Sequence, residues 1–534
     1  MAGGPTQGRP FEATSGVALA MTEAGLGAGP QSPQGGAPSS KVLANEVAIA
    51  IRNGIKLGGS LLITWSVALI IKFQIPQHLG PVRQGYFGFA ESFATIFFSV
   101  LGLGVDTYVA REVPVRIEHA SDFIGGVFAL RSMLSTVIFA IMATTLWATG
   151  RSGEIQLAAA VFGVTQVLIC FNATLAAVLQ ATTHVGRLAV ANVVAKILWG
   201  IGLLVGLHYS VPLYMLALPM AVSELLRTAV LVPASRVAAN LRFRIDAAIS
   251  RDVIRTSIPF FVNSLAVTFG NNLALSALEF IRRDEREVGW FAAAQNLGSL
   301  AMLMYPLLAW IVMPMLSRAK ARSEAEMMLI LQRAIEGLLV TILPLTTLIS
   351  VGAGIFVKVA FGAKFLPAET GLSILSLVFL LTYLNIMFAT ALFITNKSWS
   401  VTTISVASIF VLALFMLIFV PIGRMVFGTG GECAGAAIAT ILSELCVVIA
   451  MLFRIGLEPM DRRNVEVLVK SLGISFVVIV IDRFLRVLPL GVVRLAIDMT
   501  IYGSLALVLG VVRLTDVRRV VKVVRSRRAE SRSG

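Results

Sequence analysis

The sequence predicts an all-α polytopic membrane protein with about fourteen transmembrane helices, arranged as two parallel six-helix lobes plus two C-terminal helices. Three observations predict it. Of 534 residues, 57% are hydrophobic and 14% charged, well below the roughly 25% charged of a soluble domain. The apolar residues fall into runs of about 20, the length that crosses a bilayer as a helix. And one phrase is written twice: QGYFGFAESFATI from Gln84 returns as VGWFAAAQNLGSL from Val288. Gly85 aligns with Gly289, Tyr86 with Trp290, Phe87 with Phe291, Ala90 with Ala294 and Glu91 with Gln295.

Taken in order, residues 1–46 are rich in Gly, Pro, Ser and Gln. They carry too little apolar surface for a core and read as a disordered cytoplasmic N-terminus without a cleaved leader. The first lobe, residues 47–250, holds spans at Ala48–Phe73, Tyr86–Val109, Phe123–Ala148, Ile155–Ala181, Leu188–Leu207 and Val211–Val232. The second lobe, residues 251–457, holds Thr256–Leu278, Val288–Leu316, Ile330–Val357, Gly371–Thr395, Val401–Val420 and Ala434–Phe453. Residues 458–513 add Val465–Leu488 and Val492–Val512, and 514–534 form a basic tail suited to anionic cytoplasmic lipid. None of the connections is long enough for a separate soluble domain.

The repeated phrase opens the second and the eighth span. An even number of spans separates the copies, so both keep one orientation, which is a parallel repeat about an axis along the membrane normal. VLQATTHVGR after the fourth span and LFITNKSWS after the tenth echo each other in the same way. Two facing lobes enclose a central path that opens to either side. Lys and Arg in the connections place both termini in the cytoplasm: the segments around Arg236–Arg255 and Arg318–Arg333 and the tail carry roughly twice the positive charge of the opposite connections.

A charge inside a span costs about 2.5–3.5 kcal/mol on insertion scales, so each demands a reason. Arg52 and Lys56 share one face of the first span. Arg131 lies in the third, Lys196 in the fifth, Glu224 and Arg227 in the sixth, and Arg255 opens the seventh. Lys196 and Glu224 fall at similar depth, which suggests an ion pair. The six cations Arg52, Lys56, Arg131, Lys196, Arg227 and Arg255 suit an anionic ligand, and Glu224, Glu91 and Glu444 are candidates for pairing or ion coupling. Glu336 and Asp498 are further intramembrane acids. Arg52, Arg255 and Glu336 lie near helix ends, where snorkelling alone accounts for a charge. There is no GxxxxGK[ST] run for nucleotide, and no Cys or His spacing that holds a metal. Cys170, Cys433 and Cys446 read as apolar helix residues. No catalytic residue, cofactor, metal or nucleic-acid partner is expected.

Several phrases in sequence order resemble the polysaccharide and oligosaccharide flippases of the multidrug/oligosaccharidyl-lipid/polysaccharide exporter superfamily. These are IPQHLGPVRQGYFGFAES, LGLGVDTYVARE, TSIPFFVNSLA, EREVGWFAAAQNL, VAFGAKFLPAETGLSIL and GAAIATILSE, and together they span residues 48–512. The resemblance implies two six-helix lobes, an alternating-access path and translocation of undecaprenyl-diphosphate-linked oligosaccharide to the outer leaflet of a bacterial inner membrane. It also implies a place beside glycosyltransferases and a polysaccharide polymerase. A lipid II flippase shares that fold. A cation-coupled multidrug exporter predicts about twelve helices and an acidic path, against the two added helices and the excess of Arg and Lys here. A membrane glycosyltransferase requires a carboxylate in the first outer connection, which has none.

The topology is testable with a membrane-impermeant thiol reagent. Cysteines placed in 282–287 should react from outside, and those in 242–255 only after the inner face is exposed; the reverse pattern overturns the orientation.

Overall fold

The computed structural model describes residues 40–113, 117–182, 185–241, 244–282, 284–298, 305–486 and 491–512. Apart from short connections, the chain is helical in these segments, as the bilayer demands: with no water to satisfy the backbone, a helix that bonds its own N–H and C=O groups is the economical solution. In order the helices are α1 (Ser40–Phe98), α2 (Val105–Glu112), α3 (Ala120–Ala148), α4 (Gly153–Ala181), α5 (Val185–His208), α6 (Leu213–Ala239) and α7 (Ala247–Arg282). They continue as α8 (Glu285–Gly298), α9 (Tyr305–Arg322), α10 (Glu324–Phe361), α11 (Ala368–Ile394), α12 (Ser398–Phe427), α13 (Gly431–Ile455), α14 (Arg462–Leu485) and α15 (Val492–Val508). Among the described residues, eleven stretches are long and apolar enough to cross a membrane. The fourteen predicted spans all map onto helices. Two of them share α1, and α15 has 17 residues.

Three local departures from the predicted spans have physical causes. The helix begins at Ser40, before the expected start, while residues 1–39 and 513–534 lie outside the described residues. The first connection is not a loop. Helix runs to a single break at Gly80 (φ 73°, ψ 173°), followed by Pro81. Glycine tolerates that positive φ, and proline cannot donate to the preceding turn, so one residue breaks the helix. The second span is interrupted by a 3₁₀ turn at Ser99–Gly102 and by Leu103 and Gly104 in the left-handed region before α2 begins. Of the eighth span, Val288–Gly298 lies on α8 and Tyr305–Leu316 on α9, and residues 299–304 lie outside the described residues.

The repeated phrase has a direct structural meaning. Gly85 on α1 and Gly289 on α8 cross backbone to backbone. A Cβ on Gly85 would collide with the Glu285 carbonyl, and one on Gly289 with the Pro81 carbonyl. Small residues are what allow helix backbones to approach this closely in a membrane. Around the crossing, Tyr86 donates to Glu285 (3.1 Å), and Gln77 donates to the Ala360 carbonyl (2.6 Å). Arg151, at the start of α4, pairs with Glu279 of α7; both are buried, and the guanidinium lies 5.0 and 5.2 Å from the Phe89 and Phe280 rings. One continuous apolar core joins the lobes at this end, from Phe89, Phe93 and Phe162 to Phe291, Phe365 and Ala436.

At the opposite end the cores are separate. One is built on Val105, Phe123, Leu175 and Leu231, with Val253 of α7 packed against it. The other is built on Leu316, Leu331, Tyr383 and Met451. The first turns of α7 thus adhere to the first lobe, Ser250 reaching the Phe123 carbonyl at 3.5 Å. Among the described residues the lobes share their larger core at the end bearing the repeat, and at the opposite end the start of α7 alone crosses to the first lobe's core.

The C-terminal hairpin is fastened to the second lobe. Arg463 of α14 bonds Glu336 of α10 (2.8 Å), Ser475 meets Thr347 (2.7 Å), and buried Asp482 holds Arg486 (2.8 Å) and Arg494 (3.0 Å). Arg486 also pairs with Glu369 of α11, and Asp498 is buried beside Asp482. The hairpin is therefore tied to α10 and α11.

Gly289→Ala should force the crossing helices apart and lower stability by about 1–3 kcal/mol, as overpacking does. The measurement is the melting temperature in detergent. Gly59→Ala, whose added methyl meets open space, should leave it unchanged.

Candidate functional site

The sequence leads one to expect six interior cations along a path. Arg52 and Lys56 fall on α1, but their side chains lie outside the described residues. Arg255 is exposed in the third turn of α7. The remaining three, with Glu91 and Glu224, lie inside the first lobe.

Arg131 is completely buried on α3. It donates to the Cys170 carbonyl (2.8 Å), Thr174 Oγ1 (2.7 Å) and the Gly102 carbonyl (2.8 Å), and lies 3.5 Å from Asp106. Gly102 ends the 3₁₀ turn that interrupts the second span. Breaking a helix in hydrocarbon frees carbonyls that need another donor. Arg131 is that donor, so its fork is taken up by the lobe itself rather than offered between the lobes. Its planar, permanently charged group satisfies three acceptors at once, which Lys does not match in geometry.

The expected Lys196–Glu224 ion pair is not what the structure contains. Glu224 on α6 is held by Arg227 one turn on (3.3 Å) and accepts from Asn172 Nδ2 of α4 (2.8 Å). Thr228 donates to Asn172 Oδ1 (2.9 Å) and completes the group. Lys196 of α5 instead places its ammonium 3.6 Å from the centroid of the Trp199 ring, a cation–π contact. Matching depth puts Lys196 and Glu224 on one level but says nothing of azimuth around the helix, and an i, i+3 partner on the same helix is closer by construction. Lys196 still feels Glu224 at longer range. It also feels Glu91, which lies within reach of Lys72. The first lobe thus gathers Lys72, Lys196 and Arg227 around Glu91 and Glu224, three cations to two acids. Counted by residue type, bases outnumber acids by one in this group.

In the second lobe, Glu444 of α13 accepts from Asn385 Nδ2 of α11. Glu336 pairs with Arg463 as part of the hairpin clasp. At the joined end, Glu287 accepts from the backbone N–H groups of Gly430 (2.7 Å) and Cys433 (2.9 Å), tying α8 to the start of α13. Burial pushes this carboxyl up to about 7 while the two donors pull it down. Among the described residues no group of three His, Cys, Asp or Glu could hold a metal ion, and the three cysteines are unpaired.

A family model described as polysaccharide biosynthesis protein matches residues 50–320. The chain belongs to that family. No curated protein matches it in sequence. Among solved structures, a "Lipid II flippase MurJ, inward closed conformation" is similar over 85% of this chain and 98% of its own, at TM-score 0.63 and 13% identity. An inward-facing multidrug resistance MATE family transporter of the MOP superfamily is similar over 74% and 99%, at TM-score 0.54 and 15% identity. An outward-facing one is similar over 76% and 95%, at TM-score 0.51 and 17% identity. This member of the polysaccharide biosynthesis family therefore has the fold of flippases and exporters, a fold solved in both inward- and outward-facing forms.

Sequence reasoning missed Lys72, Asn172, Arg151, Glu279 and Asn385. Lys72 and Arg151 sit at predicted span ends and read there as interfacial charge. A further repeated phrase is present, however: SEL occurs at Ser223–Leu225 and again at Ser443–Leu445, in the last helix of each lobe. It marks Glu224 and Glu444 as counterparts, a signal the first pair of phrases does not give.

Removing Arg227 alone leaves a charged Glu224 without its cation, whereas removing both leaves two neutral groups. Arg227→Gln should therefore destabilise the protein more than Arg227→Gln with Glu224→Gln, with a coupling of about 1–3 kcal/mol in thermal unfolding. Lys196→Gln should be additive with Glu224→Gln to within about 0.5 kcal/mol.

Proposed function

We propose that this chain is a flippase that carries undecaprenyl-diphosphate-linked oligosaccharide from the cytoplasmic to the outer leaflet of a bacterial inner membrane, for surface polysaccharide synthesis. The observation that carries the reading is the family match over 50–320 combined with two lobes that share their larger core at one end and have separate cores at the other, bridged only by the start of α7 among the described residues. A cargo with a diphosphate and sugars needs a polar route, while its polyprenyl tail is at home in lipid. Lobes sealed at one end and parted at the other supply such a route, and rocking about the seal reverses it. Lys/Arg asymmetry places the parted end in the cytoplasm, so the arrangement corresponds to loading.

The cationic excess of the first lobe supports an anionic headgroup over a cationic drug. Arg52, Lys56 and Arg255, toward the cytoplasmic ends of α1 and α7, would be met early by a diphosphate entering from the cytoplasm. Lys196 and Arg227 would be met deeper in. Charge-assisted contacts to phosphate offset the desolvation of both partners. Arg131 is assigned a different role, closing the break in the second span. Glycosyltransferases and a polymerase would stand before and after the chain as functional partners, supplying the lipid-linked unit and consuming it.

The test is a flipping assay in proteoliposomes with a fluorescent undecaprenyl-diphosphate-linked oligosaccharide. Wild type should expose the label to an outside quencher. Arg227→Gln and Arg255→Gln should slow it about tenfold or more, equivalent to about 1.4 kcal/mol each. Arg131→Gln should instead lower the melting temperature. Undiminished flipping in Arg52→Gln, Arg227→Gln and Arg255→Gln alike refutes the cationic route, and transport of lipid II in preference to longer oligosaccharides assigns the fold a different cargo.

A further inference from the structure

The seal that joins the lobes is built twice, once on either side of the Gly85–Gly289 crossing, and the two copies differ in chemistry. On one flank the outer end of the seventh span meets the corner between α3 and α4. On the other, the outer end of the first span meets the corner between α10 and α11. The first and seventh spans are counterparts in the repeat, as are the third and ninth, so these are equivalent contacts. In the register that sets Gly85 on Gly289, Gln77 falls opposite Ile281, two residues from Glu279. The α7 flank is fastened by charge. Arg151 pairs with the Glu279 carboxylate and also donates to the Glu279 carbonyl (3.1 Å). Its guanidinium lies against the Phe89 and Phe280 rings, and Phe280 packs in turn on Phe93, 5.5 Å between centroids. The α1 flank is fastened by a neutral bond, Gln77 Nε2 to the Ala360 carbonyl (2.6 Å), beside the Phe73 and Phe361 rings (6.0 Å). Arg151 is 9% and Glu279 0% exposed, whereas Gln77 is exposed.

We propose that the outer seal opens on one flank only: the Gln77–Ala360 side parts, while the Arg151–Glu279 side stays paired and serves as the pivot about which the lobes rock. An exposed amide exchanges its hydrogen bond for bonds to water at little net cost. Parting Arg151 from Glu279 instead strands two charges among phenylalanine rings before water reaches them, and an unpaired buried charge is strongly unfavourable. Phe73 and Phe361 add little resistance on the α1 flank, since apolar groups in a membrane gain little by leaving lipid for one another. Opening therefore begins where water is already at hand. Arg151 stands in the turn before α4 rather than within a helix, so its pairing tolerates a change of tilt between the lobes. Arg151 and Glu279 are positioning residues in this cycle: they act through the lobes and fix the axis of their rotation. The repeat supplies two equivalent hinges, and the difference in charge between them selects which one is kept.

The inference rests on rocking lobes and not on the identity of the cargo, and its test uses no cargo. The full-length protein in lipid nanodiscs, with its three native cysteines replaced by alanine, receives spin labels in pairs. His78→Cys with Lys364→Cys reports the Gln77 flank, and Ser152→Cys with Arg286→Cys reports the Arg151 flank; all four native side chains are exposed. Distances are read by double electron–electron resonance. Gln77→Ala should raise the long-distance fraction at the His78–Lys364 pair about fivefold, the shift expected for loss of one ordinary hydrogen bond. The Ser152–Arg286 distribution should stay as it is in the parent. Arg151→Gln should add a longer component at Ser152–Arg286. Gln77 is exposed, so its variant tests the proposal even where Arg151→Gln fails to fold, and an unchanged gel-filtration profile checks each protein. Equal lengthening at both pairs in Gln77→Ala, lengthening confined to Ser152–Arg286, or no lengthening at either pair overturns the proposal. So does a folded Arg151→Gln protein that leaves the Ser152–Arg286 distances unchanged. None of these distances depends on which lipid is flipped, so the cargo reading and this one fail separately.

Discussion

Hydrocarbon leaves no polar group to water, and this constraint organises the molecule. Every backbone carbonyl and every charge within the bilayer must find a partner inside the protein. Helices meet most of the demand by themselves. The exceptions are where side chains are committed. The interruption of the second span at Ser99–Gly104 exposes the Gly102 carbonyl, and Arg131 crosses from α3 to take it. An arginine that looks, by composition, like a ligand-binding cation is used to mend a helix. The same accounting explains Glu287, whose carboxylate caps the free N–H groups at the start of α13, and the Arg463–Glu336 pair that fastens the hairpin.

A second consequence concerns how the lobes meet. Apolar side chains gain little by leaving lipid for one another, so close helix contact in a membrane depends on small residues and on polar bonds. The joined end has both. The crossing of Gly85 over Gly289 brings the backbones together, and the buried Arg151–Glu279 pair, framed by Phe89 and Phe280, bridges the lobes beside it. A buried pair gives little net stability, because desolvation offsets most of its attraction. It is specific nonetheless: the partners are satisfied only when α4 and α7 stand in this register. A seal of this kind specifies one arrangement while adding little net stability. At the other end the cores are separate, and only the start of α7 packs across onto the first lobe.

Internal repetition adds a third layer. A parallel repeat gives two lobes the same architecture, and divergence within it then shows which positions are structural and which are not. Gly85 and Gly289 stay glycine because the contact is mutual. Asn172 and Asn385 keep their bond to a glutamate, yet the neutralising Arg227 has no equivalent beside Glu444. The lobes are thus alike in shape and unlike in charge, the first with a cationic excess and the second with an acid that has no tethered counter-charge.

Bilayer length and apolar composition act locally and leave a plain record in the order of residues. The helices, the two-lobe plan and the repeat are therefore legible in the sequence alone. So are the interior charges, since each is an exception in an apolar run. Their partners are not. Depth along a helix can be counted from the sequence, but azimuth and the tilt of neighbouring helices cannot. Lys196 and Glu224, level in depth, accordingly face Trp199 and Arg227 respectively. The breaks at Gly80 and Gly104, the role of Arg131 and the meeting of Gly85 with Gly289 likewise emerge only once the helices pack. Each depends on which backbone groups the packing of distant helices leaves unsatisfied or brings into contact, and nothing in a local window of residues records that.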